Sequence, residues 1–315
     1  MSVIMSGLVY PNIKASQTNN ITFIFLLGFS NTQDFSFLFF SLLVIIYIAT
    51  ILENLLIIFF YVVSKTLQSA MYFFISQISL CDILVVTDIV PILLHTVLHG
   101  RSSMTLIGCI FQFCLFATSE FSECLLLSVM SYDRYLAIYN PLRYHCVMNH
   151  QFCVALSSLT WLVAFMVTSL YAISISNLYF CGPHIIDHFY CDLEPILQLS
   201  CSDISRVHKQ NLIIGVLTGF CPFIVIVTSY VCIVITIIKI PSSTGRHKAF
   251  STCSSHLIVV SILYGALIFV YMFPTKGQSM MSLSYTIVTP LLNPIIYTLR
   301  NKDFKEAFYK IYHSF

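Results

Sequence analysis

The sequence predicts an all-α membrane protein, a seven-transmembrane helix bundle with a short amphipathic C-terminal helix. Three observations carry this prediction. The 315 residues are 58% hydrophobic and only 9% charged, with mean hydropathy +0.88, whereas soluble domains carry about 25% charged residues. Seven apolar runs lie at about 37–62, 70–94, 106–133, 152–176, 207–238, 250–273 and 280–299, each near the roughly 20 residues that cross about 30 Å of hydrocarbon. Ionisable residues inside the third run recur at helical spacing. With no internal repeat and no linker, the chain divides into an extracellular N-terminal segment 1–36, a seven-helix domain 37–299 and a cytoplasmic tail 300–315.

In the first segment, Asn20-Ile21-Thr22 is a glycosylation sequon that places Asn20 on the outer side. The apolar stretch Ile21 to Phe29 has two readings, a signal-like core and an extended segment that does not span. The extended form is the expectation. The first span contains Glu53 and Asn54, and the second contains Asp82. In the third, Phe116, Glu120, Glu123 and Arg134 are separated by 4, 3 and 11 residues and so share one stripe. Charge facing lipid is penalised, so that stripe faces the bundle interior. Glu120 and Arg134 then stand about 21 Å apart along the axis, one end within reach of a ligand and the other of an inner partner.

Asp82 and Glu123 lie at comparable depth and would repel if both were ionised. Either a cation between them or a proton on one relieves the repulsion. Glu120 has two readings, an acceptor or counter-charge for a ligand hydroxyl or amine, and a neutral carboxyl hydrogen-bonded to its neighbours. The third and fifth spans are long enough to protrude beyond the lipid. In the sixth, Tyr264, Leu267, Ile268 and Tyr271 fall at i, i+3, i+4 and i+7, an inward stripe opposite Phe116 and Glu120. Leu283 and Thr286 of the seventh span would complete a pocket for a small, largely apolar molecule. Plain helix packing is the other reading. The seventh span also carries Asn293 and Tyr297, and its Pro290 and Pro294 require neighbours to satisfy the freed carbonyls. In the tail, Phe304, Phe308, Ile311 and Phe315 repeat at i, i+4, i+7 and i+11 beside lysines, as in a helix lying at the inner interface, with a frayed tail as the other reading.

An outside N-terminus puts ten of the 15 lysines and arginines on the inner side and five on the outer, which favours a cytoplasmic C-terminus in a multi-pass plasma-membrane protein. A net charge of +2, scattered over loop ends, carries no nucleic-acid signal, so no nucleic-acid partner is expected. Cys109, Cys181, Cys191 and Cys201 fall outside, where disulfides persist, and their spacing leaves three pairings open.

Four motifs extend the reading. Met130-Ser131-Tyr132-Asp133-Arg134-Tyr135 closes the third run and leads into a short basic loop. Thr228-Ser229-Tyr230 lies in the fifth, Lys248 to Leu257 opens the sixth, and Pro290 to Asn301 fills the seventh. Together they resemble olfactory receptors, a branch of the rhodopsin-like G-protein-coupled receptors. The resemblance implies an odorant receptor rather than an enzyme. A small volatile ligand would bind in the outer half, near Phe116, Glu120, Tyr264, Leu267, Ile268, Tyr271, Leu283 and Thr286. A heterotrimeric stimulatory G protein would be activated within, raising cyclic AMP. Asp133, Arg134, Tyr230, His256, Asn293 and Tyr297 would form the switch. The same resemblance pairs Cys109 with Cys191 and Cys181 with Cys201. It also implies a structural sodium ion at Asp82 and Glu123 and no other cofactor.

Some positions depart from the pattern. Glu53 precedes Asn54 where the family has glycine, Gln68 and Ala70 replace a histidine and a proline before the second span, and Tyr139 replaces a cysteine. A transporter would need repeat symmetry. An intramembrane enzyme would need a nucleophile and base, and His256 with Ser251, Ser254 and Ser255 offers that by composition alone. A rhodopsin-like receptor for a small amine, supported by Glu120, is the nearest alternative.

Overall fold

The computed structural model describes residues 23–27, 36–181, 184–272 and 282–299, and in the tail Phe304, Glu306, Ala307, Tyr309 and Lys310. The sequon at Asn20 and the tail residues Phe308, Ile311 and Phe315 lie outside the described residues. The chain is a seven-transmembrane helix bundle. Its first four spans are α1 Ser36–Val63, α2 Ala70–His99, α3 Leu106–Tyr139 and, after the short helix α4 Pro141–Val147, α5 His150–Ser176. The short helix α6 Leu193–Leu197 lies in the long loop that follows. The fifth span joins α7 Ser205–Gly215 to α8 Cys221–Ile238 through a π-helical turn at Val216–Phe220. The sixth is α9 Ser243–Met272. The seventh joins a π turn at Ser284–Val288 to α10 Thr289–Leu299.

Helix boundaries follow local chemistry. Thr105 accepts from the Gly108 amide at the start of α3, and Asn149 does the same for Phe152 at the start of α5. Pro141 stands in the first turn of α4 behind the Asn140 cap. Gly100 ends α2 at φ 75, a conformation that other residues adopt only with strain. Without the missing proline, α2 still begins at Ala70, because Ser69 holds the extended backbone of an N-cap (φ −109, ψ 162). Both π turns precede a proline, Pro222 and Pro290. A proline lacks the amide hydrogen and crowds the carbonyl four residues back, and a widened turn absorbs both defects.

Two boundaries differ from the sequence expectation. Arg134 does not close its helix, since α3 runs five residues further to Tyr139, and the expected basic loop contains helix α4. The polar residues there ended the apolar count, but a helix leaving the hydrocarbon needs no further apolarity to continue. At 34 residues α3 is about 51 Å long.

Pro294 removes the amide that would normally bond the Pro290 carbonyl within the helix. Asn54 of α1 replaces it, its Nδ2 donating to the Pro290 oxygen at 3.2 Å and to the Thr50 oxygen at 3.0 Å. Between α2 and α5, the Gln77 Oε1 accepts from Trp161 Nε1 at 3.3 Å and from Ser157 Oγ at 3.2 Å. Lipid-facing positions carry the opposite chemistry, with Leu38, Leu42, Ile45, Leu52 and Phe59 exposed on α1.

At the end of the bundle that carries the cysteines, strand β1 (Phe23–Leu26) pairs antiparallel with β2 (Ser102–Thr105) and parallel with β3 (Ile185–Ile186). The N-terminal segment thus supplies the middle strand of a three-stranded sheet. Ile24 and Leu26 are fully buried while Phe23 is exposed, the alternation of a strand with one face on a core. In the tail, Phe304 packs against Phe60, ring centroids 5.1 Å apart, and Ala307 is buried.

Replacing Asn54 with leucine should strand the Pro290 carbonyl and cost about 1–3 kcal/mol, seen as a lower Tm of the protein in detergent. Adding Pro294→Ala restores the in-helix donor and should recover most of that loss. An Asn54→Leu protein as stable as wild type, or one not rescued, would refute the repair role.

Candidate functional site

The predicted stripe of α3 organises the interior. Phe116, Glu120, Glu123 and Arg134 are all buried. Nearest the sheet, Phe116 packs on Tyr190 of the long loop at 5.1 Å and on Tyr285 at 6.2 Å, centroid to centroid. The two tyrosine hydroxyls are 2.5 Å apart. One turn earlier on the same stripe, Gln112 ties α2 to the loop. Its Nε2 donates to the Asp88 oxygen and its Oε1 accepts from the Cys191 amide, both at 3.0 Å.

The loop is held covalently as well. Cys109 pairs with Cys191 and Cys181 with Cys201, with Cα–Cα distances of 5.4 and 5.9 Å. The separations are 82 and 20 residues, which loop-closure entropy translates into about 4.5 and 3.3 kcal/mol. The Cys109–Cys191 bridge fixes Tyr190 over α3, so the aromatic pair follows from the disulfide. His188 is buried against Phe189 and Tyr190, with ring centroids 4.8 and 4.6 Å away. Burial pushes its imidazole down to about 4, so it is neutral at pH 7. Asp192, the N-cap of α6, has its carboxyl pushed up by burial, with the Leu193 amide pulling the other way.

Below the aromatic pair lies the buried Glu120. One turn further, Asp82, Glu123 and Asn293 converge. The Asn293 Nδ2 lies 3.2 Å from both Asp82 oxygens and 3.0 Å from Glu123 Oε1. Two carboxyl groups crowd around one amide, which is the donor set of a hard-cation or proton site.

Near the other end, His256 of α9 bonds both ways. Its Nε2 meets the Leu127 oxygen of α3 at 3.1 Å and its Nδ1 meets the Tyr230 hydroxyl of α8 at 2.8 Å. A carbonyl can only accept, so Nε2 carries the proton and Nδ1 takes the tyrosine's hydrogen. This bond set latches the sixth span to the third and fifth. Arg134 pairs with its neighbour Asp133, Nε to Oδ2 at 2.8 Å, and Tyr144 of α4 donates to the other Asp133 oxygen at 2.8 Å. Tyr297 is buried, and its hydroxyl has no hydrogen-bond partner among the described residues.

The sixth and seventh spans correct part of the expected pocket. Ile268 is 53% exposed. It continues the exposed row Ser261 and Gly265, whereas the inward row runs Cys253, His256, Val260, Leu263 and half-buried Leu267. A strict i, i+4 count from Tyr264 overlooks that the buried face is centred nearer Leu263. Tyr264 is buried and reaches across to the Gly219 oxygen at 3.3 Å. The Tyr271 side chain lies outside the described residues. Thr286 is buried but turns its hydroxyl back to the Ser282 oxygen, and Leu283 is half-buried beside the cluster that holds Phe116. Tyr285, which sequence reasoning missed, is the seventh-span residue that meets Phe116. The π turn rotates the face there, and periodicity carries no sign of that. Gln112 was within reach, because it sits on the stripe of Phe116 and Glu120.

A family model described as olfactory receptor matches residues 43–314. Olfactory receptor 10C1 of Homo sapiens is 42% identical over 298 residues, 93% of this chain and 96% of its own. Olfactory receptor 5AP2 of Mus musculus is 40% identical over 312 residues, 96% and 97% of the two chains. Olfactory receptor 11A1 of Homo sapiens is 41% identical over 304 residues, 95% and 96%.

The His188 geometry fixes a pH dependence. The folded loop holds the imidazole neutral to about pH 4, whereas an unfolded loop takes up the proton near its ordinary 6.5. Stability is therefore complete above about pH 6.5 and declines toward pH 4, by up to roughly 3 kcal/mol for full titration. The Tm of the purified protein should fall between pH 7 and 5, and His188→Gln should flatten the fall. Equal slopes would show that this imidazole is not held neutral.

Proposed function

This chain belongs to the olfactory receptor family of seven-span signalling receptors, and we propose that it binds a small volatile molecule between the long loop and Glu120 and activates a stimulatory G protein that raises cyclic AMP. The observation that carries this reading is that, among the described residues, α3 alone touches the aromatic pair, the carboxyl cluster and the His256 latch while also carrying Arg134. A ligand that presses on Tyr190, Tyr285 and Phe116 loads the same rod that the inner partner would meet. The disulfide end faces outside, in the oxidising compartment, with Asn20 glycosylated, and Arg134 faces the cytoplasm.

Two packings of comparable energy are enough for switching. In the packing described above, the bonds from His256 to Leu127 and Tyr230 hold the sixth span in. Releasing them frees that span to swing out and uncovers Arg134, after it leaves Asp133, for a G-protein tail. Each such bond contributes about 0.5–1.5 kcal/mol, so a ligand's differential contacts are large enough to overcome them.

A sodium ion fits the cluster below Glu120. Asp82 and Glu123 would hold it, and its charge would supply what one amide shared between two carboxyls lacks. A buried carboxyl at Glu120, under the aromatic pair, favours ligands with a hydrogen-bond donor or a positive charge, which keeps an amine within the expected ligand class.

Cells expressing the receptor, screened with volatile alcohols, amines and carbonyl compounds and read by cyclic AMP, test the function. Arg134→Ala that reaches the surface should lose the response, and a full response would overturn the switch role. His256→Phe should raise ligand-independent cyclic AMP by roughly two- to tenfold, since about 1.4 kcal/mol is tenfold in population. For the ion, replacing external sodium with choline should change wild-type potency but not that of Asp82→Asn or Glu123→Gln. Identical sodium dependence in all three would remove it.

A further inference from the structure

We propose that His95 and His99, in the last two turns of α2, form a two-imidazole clip for a divalent transition-metal ion such as Cu²⁺. Three observations on the side chains support it. They are spaced i and i+4, which puts both on one helix face. Their rings are stacked with centroids 4.2 Å apart and planes 19° from parallel. Both are exposed, so they fill no core. An ion bonded at about 2.0–2.1 Å to a nitrogen of each ring at neighbouring positions sets those nitrogens roughly 3 Å apart, and turning the exposed His95 ring brings its nitrogen beside His99 Nε2.

The tautomer of one ring is already set for the task. His99 Nδ1 lies 3.0 Å from the His95 carbonyl oxygen. A carbonyl cannot donate, so Nδ1 carries the hydrogen and the Nε2 lone pair is free and turned away from the helix. Metal-binding histidines characteristically donate their second nitrogen to a backbone carbonyl in this way.

Placement makes the clip accessible. At 30 residues α2 is about 45 Å long, well beyond the roughly 30 Å of hydrocarbon. Its final turn leads through Gly100 and Arg101 into β2, which pairs with the N-terminal strand. An ion here would brace the joint between helix and sheet, apart from the aromatic pair and the carboxyl cluster. Among the described residues no third histidine, cysteine or carboxylate completes the site, so water fills the other positions. Cu²⁺ binds nitrogen donors most strongly in the divalent series and is the probe of choice.

The test uses the full-length receptor in detergent and needs no odorant. Titration with Cu²⁺ should give one bound ion whose electron paramagnetic resonance spectrum shows two imidazole nitrogens. His95→Gln and His99→Gln should each weaken binding by more than the roughly tenfold that loss of an outer-shell partner costs. His208→Gln, another exposed histidine, should leave it unchanged. A measurement on the unaltered chain guards against misfolded variants: bound Cu²⁺ should protect His95 and His99 together, but not His208, from carbethoxylation read by mass spectrometry. Wild-type affinity in both variants, a single-nitrogen spectrum, or no joint protection would each overturn the proposal.

Discussion

Hydrocarbon supplies no hydrogen-bond partner, so every polar group carried into the bilayer must find one on its own or another helix or lose several kcal/mol. Much of this structure can be read as the consequence. Asn54 is in the first span and its carbonyl acceptor in the seventh. Asp82, Glu123 and Asn293 come from the second, third and seventh. His256 links the sixth to the third and fifth. Apolar side chains pack almost as well against lipid as against protein, and so cannot set the register of one span on another. The few polar groups can, because only one alignment satisfies them together.

The two ends of the bundle are built differently. At one end, two disulfides, a three-stranded sheet and a buried loop of His188, Phe189 and Tyr190 bind the segments together covalently and by packing. At the other, hydrogen bonds from the His256 imidazole hold the sixth span, and Arg134 pairs with Asp133 of its own helix. A stiff end and a latched end, joined by the continuous helix α3, suit a receptor in which a small ligand shifts a balance of packings. Tyr144 adds to this arrangement. By donating to Asp133 from α4 it couples the segment between the third and fourth spans to the same acid that restrains Arg134.

The spans and the interior stripe of α3 were legible because apolar length and a 3.6-residue period are properties of single segments. Arg134 and Glu123 are buried for the reason their spacing gave. The failures have a common origin. Ile268 was assigned inward from an i, i+4 count, but which edge of a stripe turns to lipid depends on where the neighbouring helix lies. Tyr285 was overlooked because a π turn ahead of Pro290 shifts the face. Helix α4 was hidden because helices outside the membrane need no apolar run. The strand Phe23–Leu26 reads as extended, but its place between β2 and β3 depends on partners about 80 and 160 residues away.

By itself, the sequence determined the bundle, the family and the identity of the residues that cannot face lipid, since these follow from transfer costs and local periodicity. Tertiary structure alone decided which of those residues meet. It gave Asn293 to both carboxyls, Asn54 to the carbonyl orphaned by Pro294, and His256 to Leu127 and Tyr230. Such pairings depend on the rotation and depth of whole helices, quantities that no single helix carries and that are fixed only when seven of them share one interior.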